Sequence, residues 1–160
     1  LTDIAGIPAH PLFVHGAVVL VPLAALLLVV CAWSGRARVR AGVVLPALAL
    51  AAVIGCYLAK ESGERLEKTP AMASMRAQIE GHSTQGTVTF LWSVVLFALA
   101  VLVWAGSNSW VGRTVPVTTA FGGRAGTIIL GVLSVLVAFG GIAGVVLAGH
   151  SGAAMVWAGT

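Results

Sequence analysis

Apolar residues fill four nearly uninterrupted runs, Leu12 to Trp33, Ala41 to Ala59, Thr87 to Ala105 and Thr127 to Ala148. A membrane-spanning helix needs about 20 apolar residues at a rise of about 1.5 Å each, and each run comes close to that length. The pattern predicts an all-α fold, a four-transmembrane-helix bundle forming one integral membrane domain over residues 1–160. The first run has the length of a secretory signal. No basic segment precedes it and no small-residue cleavage site follows Trp33, so it reads as a retained helix.

Between the second and third runs lies the one long polar stretch, residues 60–86. Thr69-Pro70 reads there as a helix cap and first helical position, followed by "AMASMRAQIE". Met72, Met75 and Ile79 fall on one face and the Arg76/Glu80 pair on the other. This predicts a short amphipathic helix in the loop, lying on the membrane face or capping the bundle. Pro22 and Pro46 stand inside the first two runs and predict a kink in each. The fourth run holds Gly131, Gly140, Gly141 and Gly144, which permit close packing of helices, a flat bed for a planar ligand or an oligomer contact. The chain reads as free of internal repeats.

Composition agrees with the runs. Hydrophobic residues make up 59% of the chain and charged residues 9%, against about 25% charged in a soluble domain. Mean hydropathy is +1.02. The net charge of +4 is distributed as in a membrane protein, not as in a nucleic-acid binder. Arg36, Arg38 and Arg40 lie between runs one and two, Arg113 and Arg124 between runs three and four, and neither loop contains an acid. Arginine-rich loops of this kind are retained in the cytoplasm. Both termini and the 60–86 loop are therefore expected outside the plasma membrane. Cys31 and Cys56 fall at different depths, which predicts two buried thiols and no disulfide.

The candidate chemistry lies in the histidines. His10, His15, His82 and His150 all fall at the extracytoplasmic boundary, together with Met72, Met75 and Met155. His15 lies inside an apolar run, where an ionisable group usually marks a site. Five helical residues turn His10 and His15 about 140° apart, so both can face one site only if His10 belongs to the lead-in before the helix. Imidazoles from different helices suit bis-histidine haem, while imidazole with thioether suits copper, and imidazole also suits zinc. Glu61, Glu64 and Glu67 could complete a carboxylate–histidine site, or end a solvated helix. No phosphate loop, nucleophile elbow or HExxH is present, so enzymatic turnover has no sequence support.

The stretches "GIPAHPLFVHGAVVLVPLAAL", "LAKESGERLE" and "GHSGAAMVW" resemble the bacterial membrane family designated domain of unknown function 2231. The resemblance covers nearly the whole chain. It implies four transmembrane helices with histidines near their ends. His10 and His15 match its opening motif and His150 its closing one, while His82 stands where similar proteins tend to carry histidine. Gly16-Ala17 depart from the bulky residue and proline common after the second histidine.

Together these readings favour a haem b-binding electron-transfer protein, with His15 and His82 as axial ligands and His10 and His150 beside them. The alternatives are a copper or zinc protein using the four histidines with Met72, Met75 or Met155, and a cofactor-free accessory subunit of a larger membrane complex. The expected partners are the lipid bilayer and a redox partner.

Overall fold

A computed structural model of the protein describes residues 3–4, 6–114 and 123–157. Two-residue strands β1 (Asp3–Ile4) and β2 (Ile7–Pro8) pair antiparallel, and Gly6 turns between them at φ 81°, with its N–H held by Asp3 Oδ1 at 2.8 Å. Six α-helices follow: α1 (Ala9–Trp33), α2 (Gly35–Ala41), α3 (Val44–Glu67), α4 (Arg76–Ala105), α5 (Ser109–Thr114) and α6 (Arg124–Trp157). Four of them, α1, α3, α4 and α6, are long and apolar enough to cross a membrane. They form a ring in which α1 and α4 each pack between α3 and α6.

Buried positions explain the ring. Ala17, Val21, Ala24 and Leu28 on α1, and Leu45, Ala49, Ala52 and Cys56 on α3, recur at spacings of three and four. Leu96, Ala100 and Val103 do the same on α4, and Leu130, Val137 and Val145 belong to the same core on α6. Such spacing turns one stripe of each helix inward, and its many alanines let the backbones approach closely. The outward faces are equally apolar, with Leu26, Ile54, Leu91 and Phe139 exposed, as a lipid-facing surface requires.

The glycines of α6 serve this packing. A Cβ on Gly131 would lie 2.7 Å from the Trp33 ring, and one on Gly140 would lie 2.6 Å from the Trp92 ring. Gly141 and Gly144 are approached by Val21 and Thr89. These four glycines are met by the chain's own side chains and form no bare ligand bed, while Gly149, on the same helix, has nothing within 4 Å of its Cβ.

The helices outrun the hydrocarbon-length runs at the histidine end. α3 continues to Glu67 because polar residues sustain it: Lys60 pairs with Glu64, and Arg65 with Glu61 at 2.9 Å, each one turn apart. Only Lys68, Thr69 and a 3-10 turn over Pro70–Met75 remain before α4 begins at Arg76. Residues 76–80, expected in a separate amphipathic helix, are the first turn of α4. The Thr69 hydroxyl donates backward to the Leu66 carbonyl at 2.7 Å and makes no cap bond. Pro46 is the third residue of α3. It sits in the first turn, where its missing N–H would have no intrahelical partner, so the kink expected there has no cause. Pro22 is interior to α1 as expected.

At the opposite end Arg38 on α2 is 8% exposed. Its Nε donates to the Cys31 carbonyl at 2.8 Å and its Nη2 to the Ala32 carbonyl at 2.7 Å. One guanidinium thus satisfies two terminal carbonyls of α1 and places a cation at the negative end of its dipole. Cys31 and Cys56 are both buried free thiols.

Two outcomes follow for stability, both read by thermal unfolding in detergent. Arg38→Ala is expected to cost about 2 kcal/mol, the worth of charge-assisted bonds to buried carbonyls. Gly140→Ala is expected to cost about 1–3 kcal/mol through overpacking against Trp92, whereas Gly149→Ala, with nothing within 4 Å of its Cβ, leaves stability unchanged.

Candidate functional site

The chain's polar chemistry gathers where α1 and α4 begin and α3 and α6 end. His10 is the second residue of α1 and is helical, not part of a lead-in. Its Nδ1 lies 2.9 Å from the Ala59 carbonyl and 3.3 Å from Ser62 Oγ, both on α3. His82 lies two turns into α4, and its Nδ1 is 2.9 Å from Ser151 Oγ on α6. Ser151 Oγ in turn lies 2.6 Å from Gln85 Oε1 and 3.0 Å from the Ala148 carbonyl. Both rings are half-buried. They meet across the bundle with centroids 6.0 Å apart and planes at 89°.

His15 is turned away from this pair, as helical rotation requires once His10 is inside the helix. It is exposed, and its Nδ1 bonds the Pro11 carbonyl of its own helix at 2.6 Å. His150 is exposed on α6. The structure brings the rings of His10 and His82 into contact, while His15, the partner for His82 that the sequence favoured, lines the same cavity with its Nδ1 bonded within its own helix. Met155 is half-buried at the same end; the side chains of Met72 and Met75 lie outside the described ones. Glu61 and Glu64 are engaged by Arg65 and Lys60, and no three of His, Cys, Asp and Glu converge on a metal position among the described residues.

A cavity of about 760 Å³ opens at this end. His10, His15 and His82 line it together with Lys60, Glu64 and Glu67. The rest of its wall is small or apolar, including Val14, Ala59, Gly86, Ala148, Gly152 and Met155. Its size falls in the range of small-molecule and cofactor sites, and so does its mostly apolar wall with a few polar groups.

The residues that seat the two imidazoles escaped the sequence reading, although a signal for them exists. The segment "GCYLAKESG" at 55–63 and the segment "GVVLAGHSG" at 144–152 share the pattern GxxLAxxSG. In the first, Ala59 and Ser62 hold His10; in the second, Ala148 and Ser151 surround His82. The last glycine of each lies under its ring. A Cβ on Gly63 would be 3.0 Å from His10 Cε1, and one on Gly152 would be 3.1 Å from His82 Cε1. The first glycine of each meets the helix seven residues beyond the histidine, Gly55 at Ala17 and Gly144 at Thr89. The pairs α1 with α3 and α4 with α6 thus share one short pattern in one register to a histidine, a local likeness that the sequence reading passed over.

No family model, no curated protein and no solved structure matches this chain.

The contacts divide the histidines into two classes. His10→Ala and His82→Ala each break an interhelical hydrogen bond and are expected to lower stability by about 1–3 kcal/mol. His15→Ala and His150→Ala stay within about 0.5 kcal/mol of the parent. Thermal unfolding in detergent distinguishes the two pairs.

Proposed function

We propose that the protein is a membrane haem b carrier that passes single electrons, with His10 and His82 as the two protein ligands. The observation that carries this reading is the pairing of those imidazoles across the cavity. Two imidazoles on one metal, each with its nitrogen about 2.0 Å from the ion, would have ring centroids roughly 5–6 Å apart, according to the angle between them. The separation of 6.0 Å and the 89° angle between His10 and His82 are compatible with that arrangement. Haem b bound there supplies one-electron redox chemistry at a potential tuned by its axial ligands. The chain's own part is to hold both imidazoles from opposite hairpins, to surround the ligand with apolar wall, and to offer Lys60 at the rim.

The number of donors separates this from the zinc reading. Tetrahedral zinc takes three or four protein donors, and no such set converges among the described residues. A porphyrin brings four nitrogens of its own and asks the protein for only two. Copper(I), which accepts imidazole and thioether, is the second reading, favoured by Met155 in the same cavity wall.

Sidedness and kinship belong to the same proposal. Arg36, Arg40, Arg113 and Arg124 are exposed at the end opposite the histidines. The positive-inside bias supports a site near the outer face of the plasma membrane. The resemblance of the opening, middle and closing motifs to the family designated domain of unknown function 2231 supports the same membrane reading. A redox partner of the outer face would complete the circuit.

Absorption spectra of the detergent-purified protein, oxidised and then dithionite-reduced, test the reading. The expected result is a Soret band with sharp bands on reduction in the parent and in His15→Ala, with six-coordination lost in His10→Ala and His82→Ala. A featureless spectrum with copper near one per chain selects the second reading. A featureless spectrum without metal leaves a cofactor-free accessory subunit whose imidazoles are helix clamps.

A further inference from the structure

The GxxLAxxSG pattern shared by α3 and α6 bears on the protons of His10 and His82. We infer that the two GxxLAxxSG segments are one imidazole-seating device used twice, each fixing the proton on Nδ1 and leaving the Nε2 lone pair free for a ligand in the shared cavity. The inference deepens the haem reading and takes its purpose from it, but its geometry stands on hydrogen bonds alone.

In the first hairpin the argument is short. The Ala59 carbonyl can only accept, so His10 Nδ1, 2.9 Å away, must donate. Ser62 Oγ donates to that same carbonyl at 2.9 Å, so its lone pairs remain free to take a second share of the Nδ1 proton at 3.3 Å.

In the second hairpin a hydroxyl stands where the carbonyl stood. A serine hydroxyl has one proton. Two acceptors compete for that of Ser151, Gln85 Oε1 at 2.6 Å and the Ala148 carbonyl at 3.0 Å. Whichever takes it, Oγ is left as an acceptor for His82, 2.9 Å away. The Ala148 carbonyl alone suffices for this, whichever way the Gln85 amide is turned. With the Ser151 proton on either of these oxygens and not on the ring, and with the Ala148 carbonyl itself facing the imidazole as an acceptor, His82 also carries its proton on Nδ1. No hydrogen bond reaches Nε2 of His10 or of His82 among the described residues. This is the tautomer that metal-bound histidines adopt, with the remote N–H anchored on an oxygen.

The two seats differ in what they depend on. His10 is held by a backbone carbonyl that no substitution removes, so Ser62 is an auxiliary. His82 is held through a side chain, so Ser151 is a positioning residue, with Gln85 behind it. Packing alone predicts no such difference.

Nitrogen NMR of the ligand-free protein in detergent, labelled with 15N-histidine and held in mildly alkaline buffer where free imidazole is neutral, reads the tautomers directly. The parent should show a protonated Nδ1 and an unprotonated Nε2 at both His10 and His82, assigned by loss of signals in His10→Ala and His82→Ala. Ser62→Ala should leave His10 in that single form. Ser151→Ala should turn His82 to a mixture of tautomers without changing His10, and Ser151→Thr, which keeps the hydroxyl, should restore it. A protonated Nε2 at either histidine in the parent, or a His82 unmoved by Ser151→Ala, overturns the inference. Its failure is separable from failure of the haem reading. A parent with both Nδ1 protons in place and no haem spectrum keeps the seats and loses the cofactor. A haem-bearing parent whose ligand-free form carries the proton on His82 Nε2 does the reverse.

Discussion

Close approach between helices is the constraint on which the rest of this bundle depends. In hydrocarbon, apolar side chains gain nothing by leaving lipid for one another, so helices associate through tight contact and a few polar bonds. Here contact is tight because one partner of many pairs is glycine or alanine. Trp33 and Trp92 lie on Gly131 and Gly140, Thr89 lies on Gly144, and Ala17 faces Gly55. The same device seats the imidazoles, His10 over Gly63 and His82 over Gly152. Structure and site are therefore not separate achievements of the fold. The glycine that lets two helices touch is, at the histidine end, the glycine that admits a ring between them.

Polar bonds then set rotation and register, at both ends of the bundle. Arg38 ties α2 under the last carbonyls of α1, and the imidazoles tie α1 to α3 and α4 to α6. Between these ends the buried hydroxyls donate within their own helices or, like Ser134 Oγ on α6, are buried without a partner among the described residues. Thr89 and Ser93 donate to carbonyls of their own helix at 2.8 and 2.6 Å, so the middle of the bundle carries little directional information. A slip of one helix past another would be resisted chiefly at its ends.

This division explains what was legible in the sequence. Four spans, their small-residue seams and the gathering of histidines at one end follow from hydropathy and charge, and the structure has them. Helix ends were not legible from hydropathy, because α3 continues past its apolar run on ion pairs, Lys60 with Glu64 and Arg65 with Glu61. That continuation also absorbed the expected surface helix into α4. Nor was the choice of partner for His82. His15 drew attention because it lies deeper in the apolar run, yet it is His10 that bonds across to α3, while His15 bonds the Pro11 carbonyl of its own helix. The shared pattern was hidden by what fills it. Lys60 and Glu61 in one copy stand against Gly149 and His150 in the other, so a polar segment and a nearly apolar one conceal the same framework.

That divergence has a physical meaning for the site. The framework residues, which seat the imidazoles, are alike in both hairpins. The variable ones make the cavity wall unequal. On the α3 side the wall includes Lys60, Glu64 and Glu67; on the α6 side it includes Val145, Ala148, Gly149, Gly152, Ala153, Met155 and Trp157, none of them charged. A ligand held between two near-equivalent imidazoles would by itself have two equal orientations. Polar groups buried against apolar wall lose hydration without compensation, so a ligand with one polar edge keeps that edge toward α3 and its apolar flank toward α6. The shared pattern thus seats the paired imidazoles, and the unlike residues around them give the cavity a direction.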